Sequence, residues 1–277
     1  MINMLRRAYN DIGKHIRLNK ILKNNRALIF AFDHGVEHGP SDFPSDRIDP
    51  RVVVKNVVEE GVDAIMTTLG IASMTYDIWG GRVPMIIKVT GKTSLRPEPQ
   101  RLVQSVFGYV RDAVAVGADA VAATVYWGSE YEDIMLERWF SIRLTAERYG
   151  LPALQLAYPR GSAIKNMYDP EVVKYGVRAA IESGADLIKT YYTGSEESFR
   201  EVVRVASGIP ILMSGGRARD DPVDFLRDVR AVMNAGANGV VVGRNVFQHR
   251  DPRSMIRALK MIIHEDKSVE EVARLVE

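Results

Sequence analysis

The sequence contains no cysteine. That excludes disulfides, a thiolate nucleophile and cysteine-based metal sites together. Long apolar runs are missing too: none approaches the roughly 20 residues that a membrane-spanning helix needs. Neither sign of charge is in excess, since 37 Lys and Arg stand against 35 Asp and Glu for a net charge of +2. No basic footprint for nucleic acid is therefore indicated, and no membrane partner. No low-complexity stretch or linker interrupts the 277 residues. The expectation is one domain over residues 1–277, although length alone allows two.

What is present is a regular punctuation. Four apolar runs follow a Gly, a small or branched residue, and Asp or Asn: Gly61-Val62-Asp63, Gly117-Ala118-Asp119, Gly184-Ala185-Asp186 and Gly236-Ala237-Asn238. Three others follow Gly, one or two residues, then Pro: Gly81-Arg82-Val83-Pro84, Gly150-Leu151-Pro152 and Gly208-Ile209-Pro210. The two kinds alternate along the chain. In each, the Gly reads as the end of a helix, where a left-handed cap costs Gly least. The runs that follow (64–67, 85–89, 120–125, 153–156, 187–189, 211–213 and 239–242) are too short for helices and read as strands covered on both faces.

An eighth run, 27–32, precedes them all. Helical patterns lie between the runs at 49–60, 100–116, 130–149, 169–183, 196–206, 222–235 and 252–264. Eight strands alternating with helices predict an α/β fold, a (β/α)8 TIM barrel; the regular alternation argues against a doubly wound open sheet. Residues 1–23 are basic with Leu, Ile and Tyr positions that predict an extra N-terminal helix, covering the bottom of the barrel or packing on a neighbouring subunit. Asp11 and the lack of a cleavage-like stretch argue against a targeting peptide, so the cytoplasm is the expected compartment.

Barrel enzymes gather their chemistry at the C-terminal ends of the strands. Those ends carry Asp33-His34-Gly35 running on through Glu37-His38, then Lys88 with Gly91-Lys92-Thr93, Tyr158-Pro159-Arg160, Lys189, Ser214-Gly215-Gly216 and Gly243-Arg244. The two glycine-rich loops, at the seventh and eighth strands, would let backbone amides approach an anion, and Arg244 adds a forked cation suited to phosphate. Tight turns alone are the plainer reading of those glycines. Gly91-Lys92-Thr93 could serve a second anion, but the spacing of a P-loop is missing.

Lys189 lies in the apolar run Leu187-Ile188-Lys189. A buried ammonium is tolerated where a carboxylate neutralises it, or where the neutral amine is used, as in Schiff-base chemistry. Lys88 is a rival on an equally apolar strand, and pairing with a core carboxylate is the plain alternative for either. Asp33 supplies a carboxylate at the same end, unless it only caps the loop that follows. Lysine, aspartate and tyrosine over a phosphate site form a coherent set for amine catalysis. His34 and His38 could join Asp33 and Glu37 around a metal. That segment reads as a loop without helical i, i+4 presentation, so no metal is expected. Ser214 lacks the Gly two residues earlier that a nucleophile elbow needs, having Leu212 there.

These motifs resemble the archaeal-type class I fructose-bisphosphate aldolase family, which also holds the aminodideoxyheptulosonate synthases and a thiolase-like barrel of autoinducer breakdown. The resemblance spans Ala27 to Asp251. It is carried by 32–43, 91–95, 158–161, 189–194, 212–216 and 242–248, in order and on matching strands. It implies that Lys189 forms a Schiff base with the substrate ketone, Tyr158 donates and accepts protons, and Asp33 assists imine formation and proton movement, with either Tyr158 or Asp33 as the base for the C4 hydroxyl. Ser214, Gly215, Gly216, Gly243 and Arg244 would hold the 1-phosphate of a ketose, while His34, His38 and Arg160 meet the rest of the substrate.

It implies no metal and no cofactor, a sugar phosphate as substrate, and homo-oligomeric rings of five, often paired into decamers. The first loop, Glu37 to Phe43, looks like that of the aldolases; the synthases, the alternative function, tend to carry small residues at Glu37 and His38. Two departures stand out. Leu156 occupies a position where such aldolases often have a Trp that shapes the triose pocket, and Gly216-Arg217-Ala218-Arg219 replaces the usual Gly-Pro-Lys.

Overall fold

The computed structural model describes residues 9–277. Eight parallel strands close into a barrel: β1 Ala27–Phe32, β2 Ala64–Thr67, β3 Met85–Lys88, β4 Ala120–Trp127, β5 Ala153–Pro159, β6 Leu187–Thr190, β7 Ile211–Ser214 and β8 Gly239–Val242. β1 pairs with both β2 and β8, so there is no open edge and the doubly wound alternative falls away. Each strand is buried along essentially its whole length. Helices on the outside and side chains within cover both faces, which explains why the runs are apolar without alternation.

The alternating junctions have a structural cause at the N-terminal end of the barrel. All seven junction glycines sit at φ between 63° and 94°, ending a helix in the left-handed region. The Asp or Asn then reaches sideways to the preceding strand. Asp63 accepts the amide of Leu28 at 2.7 Å, Asp119 that of Met85 at 3.3 Å, Asp186 that of Ala153 at 2.9 Å and Asn238 that of Ile211 at 3.0 Å. The prolines need only accept, having no N–H. Their carbonyls take the amides of Ile65, Val121 and Ile188. One kind of junction thus supplies side-chain acceptors and the other main-chain acceptors, strand after strand.

The N-terminal helix, Tyr9–Ile21, closes this end of the barrel, one of the two places expected for it. Lys14 pairs with Asp186 at 3.0 Å, Lys20 with Asp119 at 3.0 Å and, just past the helix, Lys23 with Asp63 at 3.2 Å. The same acids that cap the strands therefore receive the basic charge of the extension. Residues 1–8 of the expected extension lie outside the described residues. No described helix is long and apolar enough to cross a membrane.

Two sequence expectations are corrected. The helix expected over 100–116 is only Val110–Ala115; before it come a 3-10 turn, Gln100–Leu102, and two residues, Ser105–Val106, paired antiparallel to Thr90–Gly91. Apolar periodicity was read through Gly108, whereas the Phe107 amide is held by the Val89 carbonyl at 2.7 Å as the chain extends the sheet. The segment after β1, expected as a loop, is a short helix, His34–His38. Short helices at Leu69–Met74, Tyr76–Trp79 and Arg244–Phe247 had no clear apolar period and were missed.

Asp63 is buried and also meets His264 at 2.7 Å. Asp63→Ala leaves a buried amide and an imidazole without an acceptor and should cost about 2 kcal/mol in urea unfolding. Asp119→Ala, which loses a longer bond and a half-exposed lysine partner, should cost less than half of that. Equal costs would contradict this account of the junctions.

Candidate active site

The C-terminal ends of the strands surround a cavity of about 650 Å³, and all the residues singled out above line it: Lys189, Tyr158 and Asp33; His34, His38 and Arg160; Ser214, Gly215, Gly216, Gly243 and Arg244. The rival, Lys88, lines it as well.

The two lysines take opposite environments. Lys88, on β3, donates to Asp33 Oδ2 at 2.6 Å and to Glu37 Oε1 at 2.8 Å. Burial alone would disfavour its charge, but the two carboxylates outweigh it and raise the pKa beyond the ordinary lysine range. Lys88 is thus a permanent cation. Lys189, on β6, is only 6% exposed and has neither a hydrogen bond nor an ion pair among the described residues. Burial lowers its pKa to about 8, against the pull of Asp33 and with the help of Lys88 and Arg244. Pairing with a core carboxylate therefore applies to Lys88 and not to Lys189.

Asp33 ends β1 and opens the helix His34–His38, yet its side chain makes no cap bond to that helix. The carboxylate turns into the mouth instead. Burial would raise its pKa, but Lys88, His34 and Lys189 together hold it well below the usual carboxylate range. His34 and His38 do stand at i, i+4, with rings 5.9 Å apart, contrary to the loop reading. Among the described residues no group of three or more His, Asp or Glu side chains is placed to hold a metal ion. Burial lowers the His34 pKa to about 4, so the imidazole is neutral, and its Nδ1 lies 3.7 Å from Asp33 Oδ1 without a hydrogen bond. Burial, with Arg244 nearby, also lowers the pKa of His38.

Tyr158 comes from β5 and shares a hydrogen bond of 3.1 Å with Ser214 Oγ. Burial pushes its pKa above the ordinary phenol range, which keeps it protonated. Its ring is stacked on that of Tyr191, with centroids 4.4 Å apart and planes within 9°. Arg160 has no carboxylate partner among the described residues. It lies over the rings of Tyr126, Tyr158 and Tyr191 at 5.2, 5.6 and 5.6 Å and donates from Nε to Tyr191 OH at 2.6 Å. Such cation–π contacts retain a guanidinium inside the mouth while leaving its remaining N–H groups for an anion.

The glycine loops after β7 and β8 are fastened to each other by Asn245. Its Nδ2 donates to the carbonyls of Gly215 at 2.7 Å and Arg217 at 3.0 Å, and its Oδ1 accepts the Arg219 amide at 2.9 Å. A side chain at Gly243 would run into the His34 ring and the Ala31 carbonyl, so this glycine is required by close approach rather than by a turn. Arg244 donates to the Gly216 carbonyl at 3.2 Å, and Arg217 joins the lining. Leu156, buried opposite Lys189 in the strand register, forms part of the wall.

Sequence reasoning did not single out Tyr191, Tyr126 or Asn245 as site residues, and it weighed Glu37 as a possible metal ligand and a mark of the first loop rather than as a partner of Lys88. A signal existed for Tyr191, two residues past Lys189 and so directed to the same side of an extended strand. Asn245 acts through partners distant in sequence and gave none.

The family model of the DeoC/LacD family aldolases matches residues 27–249. Among curated relatives, the class 1 fructose-bisphosphate aldolase of Thermoproteus tenax is 40% identical over 252 residues, covering 90% of this chain and 94% of that protein. The class 1 fructose-bisphosphate aldolase of Halobacterium salinarum is 36% identical over 255 residues, covering 91% and 95%. Among solved structures, a Schiff-base-forming fructose-1,6-bisphosphate aldolase studied through its reaction intermediates superposes with a TM-score of 0.85 at 39% identity, over 91% of this chain and 100% of that one. An archaeal fructose-1,6-bisphosphate aldolase whose catalytic lysine is bound to the carbinolamine intermediate gives a TM-score of 0.84 at 38% identity, over 90% and 99%. Barrel, mouth and relatives agree, and the chain belongs to the DeoC/LacD family of aldolases.

Proposed function

We propose that this protein is a Schiff-base-forming, class I fructose-bisphosphate aldolase, one domain that reversibly cleaves fructose 1,6-bisphosphate to dihydroxyacetone phosphate and glyceraldehyde 3-phosphate. The observation that carries the reading is the buried amine of Lys189, free of any counter-ion among the described residues and beside an ionised Asp33 and a protonated Tyr158. The near relatives named for this activity support the same substrate.

The chemistry follows from these protonation states. The neutral amine of Lys189 attacks C2 of the ketose and gives a carbinolamine. Tyr158, a phenol at rest, protonates the departing hydroxyl, so water leaves and an iminium forms. Asp33, anchored through Oδ2 by Lys88, faces the iminium with Oδ1. The Tyr158 phenolate, steadied by the adjacent Arg160, takes the proton of the C4 hydroxyl. The C3–C4 bond then breaks, its electrons passing to the iminium to give an enamine and the free aldehyde. Protonation at C3 and hydrolysis return the amine. The Ser214-Gly215-Gly216 and Gly243-Arg244 loops hold the 1-phosphate. Arg160, with His34 and His38, meets the other half of the substrate.

A cytoplasmic location belongs to the same proposal, as does assembly into rings of five, paired into decamers, which the family resemblance implies; light scattering on the purified protein checks the assembly.

Borohydride added with dihydroxyacetone phosphate should attach the reduced triose to the peptide containing Lys189. A label on Lys88, or none, would contradict the assignment. Lys189→Arg should abolish turnover, because a guanidinium stays charged and cannot condense. The reactive amine is the deprotonated form, so the rate of imine trapping should fall about tenfold per unit as pH drops below about 8. Tyr158→Phe should lower kcat about 10²- to 10⁴-fold with the trapped site unchanged.

A further inference from the structure

Three lysines, Lys88, Lys92 and Lys189, line the mouth, and both of its carboxylates meet Lys88. A single carboxylate would neutralise Lys88. Glu37 is the second, and it is held firmly. Gln104 Nε2 donates to its Oε1 at 3.0 Å, and Ser94 Oγ donates to its main-chain oxygen at 2.6 Å. Gln104 is in turn buried, donates to Tyr126 OH at 2.7 Å and receives Arg138 on its carbonyl. Lys92 stands 3.8 Å from the other oxygen of Glu37. This side of the mouth carries a fixed ladder of charge, in which Glu37 bridges two cations and Asp33 holds only one of them.

Resting on the Schiff-base reading above, we propose that Lys88 and Glu37 are positioning residues, a built-in cation–anion couple that anchors one oxygen of Asp33 and sets the charge around Lys189, so that Lys189 alone condenses with the ketone. The charged groups acting on Lys189 are Asp33 from the end of β1, Glu37 from the short helix, Lys88 from β3 and Arg244 after β8, while His34 from that helix, Tyr158 from β5 and Ser214 from β7 line the same cavity. Of these, His34 and Tyr158 are neutral at rest. Asp33 and Glu37 favour the ammonium of Lys189; Lys88 and Arg244 oppose it.

The couple therefore makes a prediction about sign that a purely structural role does not. Removing Lys88 and removing Glu37 must displace the ionisation of Lys189 in opposite directions. The experiment measures borohydride trapping of dihydroxyacetone phosphate from about pH 6 to about pH 10, with the labelled lysine located by mass spectrometry. Wild type, Lys88→Met, Lys88→Arg and Glu37→Gln are compared.

Lys88→Met should move the rising limb to higher pH by about one unit, and Glu37→Gln should move it lower by about half a unit. Lys88→Arg keeps the cation and should keep the wild-type limb. Limbs that stay put or move together in the two neutralising variants, with wild type still labelled on Lys189, overturn the proposal while sparing the Schiff-base reading. Failure to label Lys189 in wild type overturns both. Should Lys88→Met not fold by circular dichroism, the other two variants still decide: a limb that Glu37→Gln leaves unmoved or raises, or that Lys88→Arg shifts, overturns the proposal.

Discussion

The organising interaction of the mouth is the clamp of Lys88 between Asp33 and Glu37, because it leaves Lys189 with nothing to pair with. Two buried lysines near one carboxylate would compete for it, and the one that won would be inert as a nucleophile. Here the competition is settled by placement: Lys88 Nζ lies 2.6 Å from Asp33 and 2.8 Å from Glu37, and Lys189 makes no ion pair among the described residues. Desolvation, helped by Lys88 and Arg244, then lowers the Lys189 pKa against the pull of Asp33 and Glu37. The same burial that lowers the Lys189 pKa keeps Tyr158 protonated.

This arrangement depends on the barrel delivering residues from the ends of six strands to one end at fixed depth. The delivery is secured at the opposite end, where each Asp or Asn of one junction takes an amide of the strand before it and each Pro offers only a carbonyl. These bonds fix how far each strand extends before its last residue turns into the mouth. The lysines of the N-terminal extension sit on the same acids, coupling the closure of one end to the register that sets the other.

Much of this was legible in the sequence because the fold repeats. The junction Gly, Asp and Pro each has one local physical role, and the strands they introduce begin where expected. Lys189, Tyr158 and Asp33 were visible because charged and phenolic side chains on apolar runs are costly and so draw notice. Other features were hidden for equally physical reasons. The pairings of Lys14 with Asp186 and Lys20 with Asp119 join residues far apart in the chain, and no local pattern announces them. Asn245 looks like any polar residue of a loop until it is seen tying the two glycine loops together. The stretch over 100–116 misled because its apolar spacing fits a helix, while pairing with Thr90–Gly91 and a glycine at 108 decide otherwise. His34–His38 misled because a helix of barely more than one turn has no period to read.

The central claim is that Lys189, and not the clamped Lys88, is the amine that meets the ketone. A crystal structure of the protein soaked with dihydroxyacetone phosphate tests it directly. The account predicts continuous density from Lys189 Nζ to the carbonyl carbon, with Lys88 still bridging Asp33 and Glu37. An adduct on Lys88, or an intact ketone beside a Lys189 paired to Asp33, would contradict it.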